Sequence, residues 1–316
     1  MNSNFRADHM LVVLALSAVA TLVVSGPVVA QAPATSPAAA AADLVKQGRR
    51  LSGEGKQEEA LALYVRAAGL DPSFAEAHVA IGASLDLKGE YAGARKHIAK
   101  GIELADPKAK TGALQAMAMS YAFEGKANDA ATYERQIFDG RIAAGELIPA
   151  AETANELARL FIESGMLDSA FAWYRTGYQT SGRKADLTEA EKDLWAFRWH
   201  HAQARLAARR GQGDAALQHA AMAKAVLDKG TNPDQQRFLP YLTGYVAFYA
   251  GDMKQAIADL QLADQRDPFI LSLLAQAYEK TGDSAKALTL WRTVMTINSH
   301  NPTNAFARPL ARMRVS

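Results

Sequence analysis

Near its end the chain reads Gly282-Asp-Ser-Ala-Lys-Ala287-Leu-Thr-Leu-Trp291. The same order of residue types appears at Gly55-Lys-Gln-Glu-Glu-Ala60-Leu-Ala-Leu-Tyr64, at Gly89-Glu-Tyr-Ala-Gly-Ala94 and at Gly251-Asp-Met-Lys-Gln-Ala256-Ile. Each stretch opens on a glycine, crosses a polar turn and reaches a small alanine five residues on. Glycine ends one helix by taking a left-handed cap conformation at low cost. Alanine lets two helices cross closely, where a larger side chain would hold them apart. A large residue four positions further on, such as Tyr64 or Trp291, fills the space beside the crossing.

Working outward, each glycine is preceded by a second small residue seven positions earlier: Gly48, Gly82, Gly244 and Ala275. Asp71-Pro72, Asp106-Pro107 and Asp267-Pro268 stop one helix and start the next unit. Together these landmarks resemble the tetratricopeptide repeat (TPR), a helix–turn–helix unit of ~34 residues. Seven registers follow, beginning near Ala41, Ala75, Thr111, Ala151, Phe197, Arg237 and Pro268. Unit four keeps Ala158, Phe161, Gly165, Ala170 and Tyr174. Unit three keeps Gly125 and Ala130 but places Tyr133 one position early, and unit five keeps Gly211 and Ala216 without the aromatic. The resemblance implies an all-α, right-handed α-solenoid of about seven repeats over residues 43–301.

Two irregularities stand out. Residues 185–196 are extra to the period, and Thr188-Glu-Ala-Glu191 reads as a capping box, so a long helix is expected from Thr188 to about Arg210. Pro149, after Gly145, suggests a soft division near 140–150.

Bulk composition narrows the function. Thirty-five basic and 33 acidic residues leave a net charge of +2, with no electrostatic footprint for nucleic acid. With no cysteine, disulfides, thiolate metal sites and Cys nucleophiles are excluded. No HExxH or GxSxG is present. Gly53-Glu-Gly55-Lys56 imitates a phosphate loop, but Arg50 stands where glycine is required and Gln57 where Ser or Thr is. Neither an enzymatic activity nor a cofactor is therefore expected. His200-His201 is no metal site, because adjacent helical residues point about 100° apart.

The N-terminus reads as an address. Arg6 gives a weakly basic start, Met10–Val24 an apolar run, and Val28-Val29-Ala30 small residues before a cut after Ala30. Residues 1–30 are thus expected to be a signal peptide, and 31–42 an Ala/Pro-rich linker. Export to the periplasm or beyond follows, with no stable membrane insertion after cleavage. An uncleaved N-terminal anchor is the alternative. Residues 302–316 carry Arg308, Arg312 and Arg314 and no acid, a basic C-terminal tail. That tail is expected to cover the last repeat in part, near Leu288, Leu290, Phe306 and Leu310.

In the family it resembles, the first helices of the repeats line a concave groove. Those positions here bring forward Arg159 in unit four, Arg198, His201, Arg205 and Arg209 in unit five, and Tyr241, Tyr245 and Tyr249 in unit six. Arginines supply forked donors for carboxylates and tyrosines supply broad contact area. A protein or peptide partner is the implied ligand, and a scaffold in cell-envelope assembly or secretion the implied role. The second reading is a carbohydrate-handling accessory, with exposed Tyr241 and Tyr245 stacking on sugars. The same residues can equally be core and helix-end side chains.

Overall fold

The interhelix glycines of all seven registers adopt positive φ, from Gly89 at +88° to Gly211 at +71°. The alanines five residues later are all buried. The computed structural model that shows this describes residues 36–316. The expected signal peptide lies outside the described residues.

Seven helical hairpins follow one another: α1 (Pro37–Gly53) with α2 (Gln57–Leu70), α3 (Ala75–Lys88) with α4 (Tyr91–Leu104), and α5 (Pro107–Phe123) with α6 (Ala127–Ala143). Then come α7 (Leu147–Glu163) with α8 (Leu167–Ser181), and α9 (Glu189–Arg209) with α10 (Gly213–Leu227). A short 3₁₀ turn, Pro233–Phe238, precedes α11 (Leu239–Ala250) with α12 (Met253–Leu262); α13 (Pro268–Thr281) pairs with α14 (Ser284–Thr296). Each hairpin packs on the next, and no strand occurs among the described residues. The crossings are close: a Cβ added at Gly244 would meet Leu260 Cγ at 2.7 Å. The result is an α-solenoid of seven TPR-type hairpins.

Thr188 accepts from the backbone of Glu191 while the Glu191 carboxylate accepts from the Thr188 N–H, so the capping box forms and α9 starts there. The expected linker is shorter than 31–42: Ser36 caps α1, Pro37 sits in its first turn, and residues 37–42 are helical. Residues 31–35 lie outside the described residues. No division falls at 140–150. Pro149 occupies the first turn of α7, where no hydrogen bond is lost, and α6 packs directly against α7.

The register also creates one anomaly. Tyr64, Ile98, Tyr174, Leu260 and Trp291 plug the core nine residues after their glycines. In unit three that slot falls to Glu134, which is 1% exposed and whose Oε1 has no protein partner. Burial, reinforced by Glu156, pushes its carboxyl up to about 8 against the pull of Arg141.

The expected tail is a fifteenth helix, α15 (Pro302–Val315), capped by Asn301. It packs on α13 and α14, as a cap would, but it also packs on α5 and α7. Arg308 is not a solvated cation. It is 7% exposed and donates to the carbonyls of Leu87, Met295 and Ile297, the ends of α3 and α14. Arg312 donates to Leu87 as well. Asn298 reaches the Ser52 carbonyl, and His300 bonds Asp86 and stacks on Phe123. The last helix and the segment before it therefore join the end of the solenoid to its first three units.

Candidate functional site

Residues three or four apart share a helix face. On α7 this aligns Glu152, Asn155/Glu156, Arg159 and Glu163; on α9, Arg198, His201/Ala202, Arg205 and Arg209; on α11, Tyr241, Tyr245 and Tyr249. Because α7, α9 and α11 are first helices of consecutive hairpins, the three stripes meet. Between them lies a cleft of ≈ 470 Å³, closed at one side by Phe238 and by Asp264, Asp267 and Ile270 around the start of α13.

Five of the eight predicted residues line this cleft: Arg159, Arg198, His201, Arg205 and Tyr241. The other three lie behind it. Tyr245 is fully buried, packed under Arg205 at 5.1 Å from its ring centre. Arg209 stacks on Tyr249 at 5.0 Å and bonds Glu163. Glu163 is the anchor of the inner end: one buried carboxylate accepts from Arg205 Nη2 at 2.5 Å and from Arg209 Nη1 at 3.3 Å. Arg205 also reaches the Tyr174 hydroxyl at 3.3 Å. Burial at this depth separates the residues by role. Arg205, at 4% exposure, and Tyr241, at 6%, belong to the wall, not to an open surface.

That burial overturns the sugar-stacking reading, which required the ring faces of Tyr241 and Tyr245 to be exposed. Both rings are covered by their neighbours: Tyr241 packs against His201, Tyr245 and Phe269, and Tyr245 against Tyr249. Burial accordingly drives both hydroxyls well above the usual phenol range.

The histidines separate as helix geometry requires. His200 faces His219 of α10, Nδ1 to Nδ1 at 3.2 Å, while His201 turns into the cleft beside Tyr241. Burial, then the charges of Arg205 and Arg159, hold His201 well below the usual imidazole range, so it is neutral. Arg198 is drawn to the rim by Glu152, at 3.4 Å, and lies over the Trp195 ring at 4.8 Å. Among the described residues, no group of three or more His, Cys, Asp or Glu could hold a metal ion.

Residue spacing did not reveal the second half of the groove. A larger hollow of ≈ 810 Å³ runs along α1, α3 and α5, with Ala83, Gln115 and Glu156 on its wall and Asn298, His300 and Asn301 on its edge. Glu156 lines both hollows, so the two adjoin at that side chain. The edge residues come from the segment before α15, some two hundred positions away, and no local signal places them there.

No protein-family model matches the chain, and no curated protein matches it in sequence. Solved structures do. A tetratricopeptide repeat protein from Parabacteroides merdae aligns with a TM-score of 0.52 at 12% identity, over 87% of this chain and 97% of that one. Aspartyl phosphate phosphatase F from Bacillus subtilis aligns with a TM-score of 0.58 at 11% identity, over 83% of this chain and 71% of that one. At such identities the likeness is one of fold: the chain has a TPR-type helical-repeat fold.

Proposed function

We propose that this protein is a non-enzymatic interaction scaffold that holds an extended polypeptide segment along its concave groove, and that it works in the cell envelope, in assembly or secretion, after export. The observation that carries the binding reading is the pair of hollows that adjoin at Glu156 along the first helices. Two adjoining hollows on the first helices suit a chain laid across both better than a compact small molecule. Its walls alternate small apolar residues such as Ala83 with polar ones such as Gln115 and Asn155, which fits recognition of backbone as well as side chains. The export reading is supported by the sequence of residues 1–30 alone. Among the described residues, no helix is long and apolar enough to cross a membrane.

Site-specific photo-crosslinking tests the binding reading. A photoreactive residue at Ala83 and another at Phe238, one in each hollow, should trap the same polypeptide. The same probe at Leu217 or Leu262, exposed on second helices, should not. Equal trapping at all four positions would remove the groove from the proposal. For export, residues 1–42 fused to a reporter that folds only outside the cytoplasm should give signal; a silent fusion refutes that half.

A further inference from the structure

Four of the chain's 7 histidines form two pairs of one geometry. His78 of α3 faces His97 of α4, Nδ1 to Nδ1 at 3.3 Å, and His200 of α9 faces His219 of α10 at 3.2 Å. In both pairs the partners stand 19 positions apart, and the ring centres lie 5.6 and 5.5 Å apart. Each pair bridges the first and second helix of one hairpin, at the same place in units two and five. Folding does not require histidine there: the first and last hairpins carry Leu44 with Leu63 and Leu271 with Leu290 at the same two positions. An apolar contact has thus been exchanged twice for two facing nitrogens.

Neutral imidazole is the commonest protein ligand of transition-metal ions. Burial holds His97, His200 and His219 below the usual imidazole range, and the facing ring adds to this for His97 and His200. Those rings are therefore neutral at pH 7. His201 differs, because the charges acting on it are Arg205 and Arg159, which would repel a cation. His78 is also oriented. Its Nε2 lies 3.2 Å from the Pro72 carbonyl, which can only accept, so Nε2 carries the proton and the neutral ring leaves Nδ1 bare towards His97. A backbone carbonyl on the far ring nitrogen is the usual support of a metal-binding histidine. Without an ion, His97 Nδ1–H donates to that bare nitrogen; an ion takes the place of this proton, which moves to His97 Nε2.

The separation fits as well. Two nitrogens bound at ~2.0–2.1 Å to a tetrahedral ion stand about 3.3–3.4 Å apart. Both pairs lie at or just inside that distance, so each ring needs only a small turn about χ2, a soft torsion, to aim at a shared ion. All four side chains are half-buried and open to solvent.

We propose that each pair is a two-histidine site for a divalent zinc or copper ion, which clips together the two helices of its hairpin. The pairs supply two ligands each, and the remaining positions on the ion are open to water. The sites are separate from the groove and stand whether or not the scaffold reading does.

The test uses untagged protein freed of metal by a chelator. Zinc titrated by calorimetry should show two ions per chain. His97→Leu and His219→Leu, which install the residue of the first and last hairpins, should each lose one ion, and the double variant both. Saturating zinc should raise the thermal midpoint of the parent and leave that of the double variant unmoved. Copper(II) bound to the parent should give the electron paramagnetic resonance pattern of two coordinated imidazole nitrogens, a readout that decides the matter even if a variant fails to fold. The assignment falls if the parent takes up no zinc, if the double variant takes up as much as the parent, or if copper in the parent shows fewer than two imidazole nitrogens.

Discussion

Arg308 Nε donates to the carbonyl of Leu87 at 2.8 Å, across 221 positions of sequence. The contact joins the last helix to the end of α3 and turns an open row of hairpins into a closed one. In a simple solenoid each unit touches only its neighbours. Here the first, second and last units share contacts, and the stability of each depends on the other.

Arg308→Ala should therefore be costly. It strips three backbone carbonyls, two helix ends among them, of a charged donor that is itself buried. Hydrogen bonds to charged groups are worth about 1.5–3 kcal/mol each in net terms, so a loss of about 3 kcal/mol is expected from urea unfolding followed by circular dichroism. Arg312→Ala, which gives up one carbonyl and the Tyr91 hydroxyl, should lose less. Equal and negligible losses would mean the closure contributes nothing.

Glu134 makes stability depend on pH. Its folded carboxyl titrates at about 8, against the usual 4.5. Between those values the folded chain keeps a proton that the unfolded chain has released, so stability is full below 4.5 and falls as pH rises through 8. Glu156, raised first of all by burial, acts in the same sense. Glu134→Gln should flatten the slope and be the more stable form at pH 8, by on the order of a few kcal/mol. Unfolding midpoints at pH 5, 7 and 9 for parent and variant decide it: parallel curves would show that Glu134 does not titrate between the two.

The buried triad of Glu163, Arg205 and Arg209 should break asymmetrically. Removing Glu163 leaves two buried guanidiniums without a counter-charge, whereas removing Arg209, which is 16% exposed, leaves Arg205 to satisfy the carboxylate. Glu163→Ala is expected to cost about 3–5 kcal/mol, and Arg209→Ala clearly less. The reverse order in thermal unfolding would contradict this arrangement.

Two glycines make a paired test of the repeat itself. Gly282→Ala forces a φ of +85° on a residue with a Cβ, at a cost of about 1–2 kcal/mol. Gly244→Ala keeps helical backbone but presses on Leu260, side chain and backbone alike, and overpacking of this kind costs about 1–3 kcal/mol. The two sites belong to neighbouring hairpins and touch different atoms, so the double variant should show nearly additive losses.

The hairpins themselves were legible in the sequence. Seven glycines, seven alanines and the capping box at Thr188 act through neighbours within one or two turns, and local sterics fix what each can do. The stripe on α9 was legible for the same reason, down to the different directions of His200 and His201. What spacing could not separate was lining from core. Tyr241 and Tyr245 sit four residues apart on one face, yet only Tyr241 reaches the cleft, because the depth of a side chain depends on how closely α9 and α13 press against α11. Nor could spacing show that Glu163 would neutralise arginines 42 and 46 positions away, or that Arg308 and Arg312 of the expected tail would find helix ends. Periodicity specifies each hairpin and its partner. The small rotation between successive hairpins, summed over seven of them, decides where the fifteenth helix lands, and that sum exists only in the packed structure.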